Sequence, residues 1–315
     1  MKQKILIIGA GGFVGTALSK RLLTDGHTVH RLQRTQSVSS GTHDLVHIGS
    51  QDNEELLRKI LPECEIVMHL ASSSTPGSTV NRPVLEAELN LLPMLRLLEM
   101  MQDFPNASLV FVSSGGTLYG NSAKATVAET ELLSTLSYHG AGKLASEAFL
   151  QAFHHLTGRG VTVLRPSNLY GPGQLLREGF GLIRTMLEHA RRGSTLHIWG
   201  DGESVRDFLY LDDMLEACCK VLRNDSDAWR VFNVGVGEGH SINQIRQLVE
   251  EVTGMPVSAA YHPPRPGDVR RIVLDCSKLL SELGWKPAMP LAEGIRRTWR
   301  WLEGDASKSS VCGLS

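Results

Sequence analysis

The feature that most constrains this chain is a glycine-rich turn at residues 9–15, which read GAGGFVG. The turn follows an apolar run directly and precedes a helical pattern of apolar residues. Glycines at its first, fourth and seventh positions allow a tight turn, close approach of the backbone to a pyrophosphate, and packing of the helix on the strand. The helix start adds unpaired N–H groups and a partial positive charge. We therefore predict a dinucleotide site formed by Gly9, Gly12, Phe13, Val14 and Gly15.

Strand-like and helical patterns alternate through the first half of the chain, which indicates βαβ units. The predicted strands are Lys4 to Ile8, Thr28 to Leu32, Asp44 to Ile48, Ile66 to Leu70, Ser108 to Ser113 and Val161 to Arg165. The predicted helices are Phe13 to Thr24, Asn53 to Leu61, Val84 to Gln102 and Gly142 to Leu156. We expect an α/β fold, a doubly wound parallel Rossmann sheet with a smaller C-terminal α/β substrate domain.

The second half of the chain has a different sequence pattern, because glycine- and proline-rich segments separate its predicted helices. The helices predicted there are Leu182 to Arg192, Leu211 to Arg223, Ile242 to Thr253 and Leu291 to Glu303. We expect a Rossmann dinucleotide-binding domain over residues 1–167, to which a later segment near 205–235 returns. Residues 168–315 would then form mainly the substrate-binding domain.

Charge and cysteine content exclude several classes of partner. Lysine and arginine together number 32 and aspartate and glutamate 33, so a nucleic-acid-binding surface is not indicated. The five cysteines show no metal-ligand spacing, and we expect no metal and reduced thiols in the cytoplasm. No apolar run approaches the roughly 18 residues of a membrane span, so none is expected.

The end of the second predicted strand bears on the choice of cofactor. A carboxylate there usually binds the ribose 2′-hydroxyl of NAD, but this sequence has Gln33 followed by Arg34. A neutral residue and a guanidinium tolerate or attract a 2′-phosphate. We expect NAD(P), with NADP slightly favoured over NAD. The alternative, that Arg34 is only a solvated surface charge, leaves the missing acid unexplained.

Further motifs resemble those of one family. They are VMHLA at 67–71, Asn90, FVSSGGTLYG at 111–120, RPSNLYGP at 165–172, GDG at 200–202, RDFLYLDD at 206–213, FNVG at 232–235 and RPGD at 265–268. Over nearly the whole chain they resemble the extended short-chain dehydrogenase/reductase superfamily, particularly its NAD-dependent epimerase/dehydratase family of nucleotide-sugar enzymes. The resemblance implies further cofactor contacts from Leu70, Ala71, Asn90, Ser113, Lys143 and Pro166.

The same resemblance implies the substrate contacts. Asn168, Arg206 and Arg265 would hold the diphosphate of a nucleotide sugar, with Asp268 near its ribose. Guanidinium groups suit the charges of a diphosphate. Outside the motif, Arg206 and Asp207 would be interpreted as an ordinary ion pair that stabilises a turn. The expected partner is a nucleotide-diphosphate sugar.

The predicted catalytic helix departs from the family pattern. The family uses Tyr-x-x-x-Lys, in which a four-residue step puts both side chains on one helical face. Lys143 is in place, but His139 stands four residues before it and Tyr138 five. We expect a neutral His139 to accept the hydroxyl proton, because Lys143 and the nicotinamide oppose its protonation. The alternatives are a bulge that returns Tyr138 to the site, and a site without activity.

The serine loop departs as well. The residue four before Tyr119, where the family often has serine or threonine, is Gly115, so Ser114 or Thr117 would bind the reacting hydroxyl. We favour Ser114. The loop also lacks the Asp-Glu pair of nucleotide-sugar dehydratases, and dehydration needs that further acid and base. Dehydration is therefore disfavoured.

The resemblance as a whole implies a nucleotide-sugar epimerase that acts by transient hydride transfer through a bound nicotinamide cofactor. An NADPH-dependent 4-keto-nucleotide-sugar reductase is one alternative. A catalytically silent binding protein for nucleotides or nucleotide sugars is another, because His139 replaces the usual tyrosine. The family often dimerises through helices such as those predicted over Val84 to Gln102 and Gly142 to Leu156, so we expect a homodimer with a four-helix bundle.

Overall fold

Parallel strands form the centre of the computed structural model, which describes residues 2–311 except 76, 105, 123, 178, 225 and 266. Numbered in chain order, the strands are β1 Lys4–Ile8, β2 Thr28–Gln33, β3 Asp44–Ile48, β4 Ile66–His69, β5 Ser108–Val112, β6 Val161–Pro166, β7 Asn168–Tyr170, β8 Leu196–Trp199, β9 Val205–Arg206, β10 Phe208–Tyr210, β11 Trp229–Val234, β12 His240–Ser241, β13 Ala259–His262 and β14 Arg271–Ile272. The central sheet has the order β11-β6-β5-β4-β1-β2-β3, and all its pairings are parallel. The predicted Rossmann-type sheet is confirmed.

The middle strands of this sheet are buried along nearly their whole length. Every residue of β4 and β6 is buried, and so is every residue of β1 except Lys4. Helices cover both faces of such strands, which is why they read as continuous apolar runs and not as alternating ones. The predicted bounds of β1 and β3 match those observed, and the other predicted strands differ by one residue.

Helices lie on both faces of the sheet. They are α1 Phe13–Thr24, α2 Glu54–Ile60, α3 Pro83–Glu86, α4 Leu92–Gln102, α5 Gly115–Leu118, α6 Tyr138–Thr157, α7 Leu182–Arg192, α8 Leu211–Arg223, α9 Ile242–Thr253, α10 Ser277–Leu283 and α11 Leu291–Val311. A π-helical turn, Ala87–Leu91, joins α3 to α4, so one predicted helix is observed as three pieces. α6 begins four residues before its predicted start, because the Ser137 hydroxyl accepts a hydrogen bond from Gly140 N–H and caps it.

Two apolar cores separate the sheet from its helices. One core lies under α1, α8 and α10, where Leu18, Met214 and Leu279 are fully buried. The other lies under α2, α4 and α6, where Leu57 and Leu150 are fully buried. The sheet is therefore doubly wound. Within the described part of the chain, no helix is long and apolar enough to cross a membrane.

The chain after β6 builds short sheets around a third apolar core. β7 pairs with β10, β8 pairs with β13, and β9 lies between β12 and β14. α7, α9 and α11 pack against one another over this core. β11, which falls in the segment expected to return, pairs with β6 in the central sheet. The exact division into a domain of residues 1–167 and one of 168–315 stays a prediction.

Candidate active site

The glycine turn between β1 and α1 fits a bound pyrophosphate. Gly9 has a φ of +92°, and a Cβ there would lie 2.8 Å from the backbone nitrogen of Ala71. A Cβ on Gly15 would overlap the carbonyl oxygen of Gly9. A larger residue at position 15 would push α1 away from the turn, and one at position 9 would be strained and would press on the chain that follows β4. The glycines thus keep the helix start close to the strand ends.

The N-terminus of α1 is open to an anion. Gly12, the N-cap, has an extended backbone and no side chain that caps the helix, and the first turn carries no acidic residue. A helix start leaves its first N–H groups without intrahelical partners, here including those of Phe13, Val14 and Gly15. Together with the helix dipole, these groups fit the diphosphate of a dinucleotide.

Gln33 offers a ligand a hydrogen-bond acceptor, whereas Arg34 offers it a positive charge. Gln33 is buried, and its side-chain nitrogen donates to the Thr35 carbonyl oxygen at 2.7 Å and to Ser37 Oγ at 2.8 Å. Its side-chain oxygen therefore remains as an acceptor. Arg34 is exposed to solvent. An acceptor suits a ribose hydroxyl, whereas a guanidinium suits a phosphate.

The other predicted cofactor residues lie where neighbouring strands end. Leu70 and Ala71 follow β4, Ser113 follows β5, and Pro166 ends β6. The chain order reverses between β1 and β4, and ligands of open α/β sheets bind at this edge. The buried Ser113 hydroxyl has no hydrogen-bond partner among the described residues. Its contact with the cofactor stays a prediction.

Lys143 is a buried cation on α6. Its Nζ donates a hydrogen bond to the Val112 carbonyl oxygen at 2.9 Å and lies 4.7 Å from the centre of the Phe111 ring. Burial lowers the pKa of this ammonium to about 8, although the charges of Glu86 and Glu147 oppose the shift. Lys143 is thus fixed at the end of β5, beside the predicted serine loop.

His139 and Tyr138 differ in burial. The His139 residue is 7% exposed, whereas Tyr138 is 44% exposed. α6 is a regular α-helix from Tyr138 onward, so His139 and Lys143 lie one turn apart on the same face. Burial first, and the charge of Lys143 second, lower the pKa of His139 to about 4, while Glu86 opposes the shift. The imidazole is therefore neutral at neutral pH, as a proton acceptor must be.

Polar side chains surround one nitrogen of the His139 ring. Nδ1 lies 2.9 Å from Ser74 Oγ and 3.8 Å from Glu86 Oε1. The Asn90 side-chain nitrogen donates to both of these oxygens, at 2.8 Å each. The Asn90 side-chain oxygen accepts from the N–H of Ser73, which fixes the orientation of the amide. Asn90 therefore connects the Ser74 hydroxyl and the Glu86 carboxylate beside the His139 ring.

The two candidate hydroxyls of the serine loop are both retained. Ser114 is the N-cap residue of α5, and its side chain makes no capping hydrogen bond. Thr117 Oγ1 is buried and lacks a partner within the described part of the protein. By contrast, the Tyr119 hydroxyl donates to Asn233 and accepts from Arg165, so it is used internally. Ser114 and Thr117 remain candidates for orienting the substrate.

The predicted substrate residues lie in the second half of the fold. Burial lowers the pKa of Arg206, and the charge of Asp268 opposes the shift. Arg265 is exposed, and its guanidinium lies 3.5 Å from the centre of the Trp199 ring. Asn168 donates its side-chain N–H to the carbonyl oxygen of Asp207 at 3.0 Å. Arg206 and Asp268 therefore lie within electrostatic range of each other, while Arg265 is stacked on Trp199.

The Asp207 carboxylate is an internal acceptor and not an ion-pair partner of Arg206. It is buried and accepts hydrogen bonds from the backbone N–H groups of Val236, Gly237 and Leu274 and from the Ser167 hydroxyl. A Cβ at Gly235 would lie 2.5 Å from one of its oxygens. The RDF and FNVG motifs therefore contact each other through Asp207.

The sequence patterns did not identify Ser74 or Glu86, although both side chains lie beside the His139 ring. Glu86 is 3% exposed and accepts hydrogen bonds from Thr79 Oγ1 and from Asn90. The available signal was an acid one turn before Asn90 within a mostly apolar stretch. For Ser74, which lies in a loop, no periodicity could have given one.

Comparison with known proteins agrees with this geometry. The model of the NAD dependent epimerase/dehydratase family matches residues 5–235. UDP-glucose 4-epimerase of Mycolicibacterium smegmatis is 32% identical over 94% of this chain and 97% of its own. The solved UDP-glucose 4-epimerase of Thermotoga maritima, with UDP-glucose, has a TM-score of 0.89 and 33% identity and covers 96% of this chain and 99% of its own. That of Thermus thermophilus, with NAD, has a TM-score of 0.88 and 30% identity over the same shares.

The doubly wound sheet, the glycine turn and the buried Lys143 define the extended short-chain dehydrogenase/reductase class. Within this class, the chain belongs to the NAD dependent epimerase/dehydratase family. The predicted family and the prediction of a nicotinamide-dependent nucleotide-sugar epimerase are thereby confirmed. The roles of the individual site residues stay predictions.

The buried His69 makes the unfolding free energy of the protein depend on pH. Burial, and next the charge of Lys143, lower the pKa of His69 to about 3, and its Nδ1 has no partner among the described residues. As pH falls, the unfolded chain protonates His69 near pH 6.5, whereas the folded chain protonates it only near pH 3. The contribution of neutral His69 to the unfolding free energy is therefore complete above about pH 6.5 and is lost progressively as pH falls toward 3. When pH is lowered from 7 to 5, we expect the unfolding free energy of the His69→Leu variant to fall by about 1–2 kcal/mol less than that of the wild type.

Urea unfolding at the two pH values measures this difference. His155→Leu, which removes an exposed histidine from α6, is the control. An equal pH dependence in the wild type and H69L would contradict the prediction.

Proposed function

We propose that this nucleotide-sugar epimerase interconverts UDP-hexoses at C4 and that His139 is its acid/base. The observation that carries the proposal is the buried pair of His139 and Lys143, one helical turn apart at the end of β5. The named relatives support the substrate class, because they are UDP-glucose 4-epimerases that align over nearly the whole chain.

The bound nicotinamide supplies the hydride acceptor and donor for such a reaction. We propose that the Ser74 hydroxyl oxygen accepts a hydrogen bond from His139 Nδ1–H, which leaves Nε2 to accept the sugar hydroxyl proton and later return it. Lys143 stabilises a negative charge that develops on the sugar oxygen, because a buried cation acts strongly in a low dielectric. Thr117 or Ser114 donates a hydrogen bond that orients this oxygen.

The diphosphate would be held by the second half of the fold. Arg206 interacts electrostatically with Asp268, and Arg265 stands three residues before Asp268 in the sequence. The Asn168 side chain is fixed by its hydrogen bond to the backbone carbonyl oxygen of Asp207. Guanidinium groups bind phosphate oxygens in a fixed orientation. This arrangement would place the sugar of UDP-hexose toward the pair of His139 and Lys143.

Separate substitution of His139 and Tyr138 tests this function. We expect His139→Phe to lower kcat for UDP-glucose to UDP-galactose conversion at least 100-fold, because general acid/base catalysis contributes about 10²–10⁴. Tyr138→Phe, the matched control on the exposed face, should stay within about threefold of wild type. UDP-N-acetylglucosamine and UDP-glucuronate should be assayed beside UDP-glucose.

The same preparations should be denatured and their released cofactor identified by mass spectrometry. An epimerase that recycles its cofactor retains oxidised dinucleotide through purification. Loss of activity in Y138F alone would reject His139 as the acid/base. A protein that contains no dinucleotide and turns over only with added NADPH would instead be a reductase.

We propose that Arg34 lets the site accept NADP as well as NAD, with NADP slightly favoured. Its exposed guanidinium follows Gln33, where a carboxylate that would repel a 2′-phosphate is missing. We expect Arg34→Ala to weaken NADP⁺ binding about tenfold and NAD⁺ binding less than twofold. Titration calorimetry on cofactor-free protein measures both, with Arg58→Ala as an exposed control. Equal weakening of both cofactors would reject this role.

We propose that the protein is a homodimer joined through α4 and α6. These helices pack against each other and carry the exposed apolar side chains of Leu92, Phe149 and Leu156. A second copy would cover them in a four-helix bundle. We expect Phe149→Glu to convert a dimer to a monomer in light scattering, whereas Leu280→Glu on α10 leaves the mass unchanged. A dimer that persists in F149E would reject this interface.

We propose that the protein is cytoplasmic, and its thiols support this location. Cys64, Cys218, Cys219 and Cys276 are free, and the first three of them are buried. Buried free thiols are common in reducing compartments.

A further inference from the structure

His139 reverses the electrostatic requirement of the site. A tyrosine that gives up its proton becomes an anion, and a neighbouring lysine stabilises it. A histidine that accepts a proton becomes a cation, and the same lysine opposes it. His139 beside Lys143 therefore needs a negative charge close to the ring if it is to act as a base.

Glu86 supplies this charge. Its Oε1 lies 3.8 Å from His139 Nδ1, and its neutral donors are Thr79 Oγ1 at 3.0 Å and the Asn90 side-chain nitrogen at 2.8 Å. The carboxylate is buried, so water screens it little. Buried carboxylates are rare unless a charged or hydrogen-bonded partner compensates them.

The other titratable groups that interact with His139 or with Lys143 do not supply this charge. Lys143 lies on the same helix and opposes the protonation of His139. Glu147 is one turn further along α6 and forms a buried ion pair with Arg165, with a shortest N–O distance of 2.6 Å. His69, at the end of β4, is neutral because burial and Lys143 lower its pKa to about 3.

Gly142 provides the space for the Glu86 carboxylate. A Cβ at position 142 would lie 2.9 Å from Glu86 Oε1 and 3.1 Å from its Cγ. A side chain there would therefore displace the carboxylate from the surroundings of His139. Glycine in the middle of a helix costs about 1 kcal/mol relative to alanine, so this residue is not explained by helix stability.

We propose that Glu86 is a positioning residue for His139, which offsets the charge of Lys143 and keeps the ring proton on Nδ1. Nε2 then carries the free electron pair. The sugar O–H bond breaks as the Nε2–H bond forms, and the resulting imidazolium is stabilised by the carboxylate until the proton returns. This resembles the way a buried carboxylate orients a catalytic histidine in hydrolases. The inference rests on the proposed role of His139.

Glu86→Gln keeps the shape and removes the charge. We expect kcat to fall about 10- to 100-fold with KM within twofold, because the ring remains but becomes a weaker base. The acid limb of the kcat–pH profile should move to lower pH, since the pKa of His139 falls without the carboxylate. Glu88→Gln, an exposed glutamate two residues on, is the matched control and should behave as wild type. A kcat in E86Q within twofold of E88Q would overturn the proposal.

Nitrogen-15 NMR of histidine-labelled protein provides a readout that does not depend on turnover. The His139 resonances are assigned by their absence from H139F. In the wild type we expect the Nδ1–H tautomer, and in E86Q an increased share of Nε2–H. An unchanged tautomer and pKa in E86Q would overturn the proposal.

Gly142→Ala tests the same charge without removing it. The added methyl group should displace the carboxylate and lower kcat about tenfold in the wild-type background, but less than twofold in E86Q. Such non-additivity is expected when two substitutions act on one contact. Equal effects of G142A in both backgrounds would indicate that it acts elsewhere, and would overturn this role of Gly142.

Failure of this inference and failure of the proposed function give different results. If H139F retains activity, His139 is not the acid/base, and the proposed function is rejected along with the role of Glu86. If H139F is inactive while E86Q matches E88Q in rate, tautomer and pH profile, only the role of Glu86 is rejected.

Discussion

The buried ammonium of Lys143 is the charge around which the other groups of the site are arranged. Its hydrogen bond to the Val112 carbonyl oxygen fixes it at the end of β5. Burial first, and the charge of Lys143 second, lower the pKa of both His69 and His139, while the charges of Glu86 and Glu147 oppose the lowering of the Lys143 pKa. The protonation states of His69 and His139 therefore both depend on the charge of Lys143.

Much of the fold follows from the sequence because its causes are local. The glycine turn and the continuous apolar runs predicted six of the seven strands of the sheet to within one residue, since spacing and burial determine them, whereas β11 was expected only as part of a returning segment. The helix predicted over Val84 to Gln102 was less accurate, because a π-helical turn interrupts it. The start of α6 was also predicted too late, since its capping by Ser137 adds a turn that apolar periodicity does not show.

The site was predictable only where a motif covers it. Lys143 and His139 were identified by their four-residue spacing, but Ser74 and Glu86 come from other segments, and only the folded chain brings them to His139. For Asp207 the sequence offered only the alternative of an ordinary ion pair with Arg206. Its donors lie near residues 236 and 274, at a distance that no local pattern reveals.

Gly142 makes positions 86, 139 and 142 interdependent in any redesign of this site. A Cβ at position 142 would lie 2.9 Å from Glu86 Oε1, so a side chain there would require the carboxylate to shift. A tyrosine placed at position 139 would become an anion close to the Glu86 carboxylate when it lost its proton. Substitutions at the three positions are therefore expected to act together and not independently.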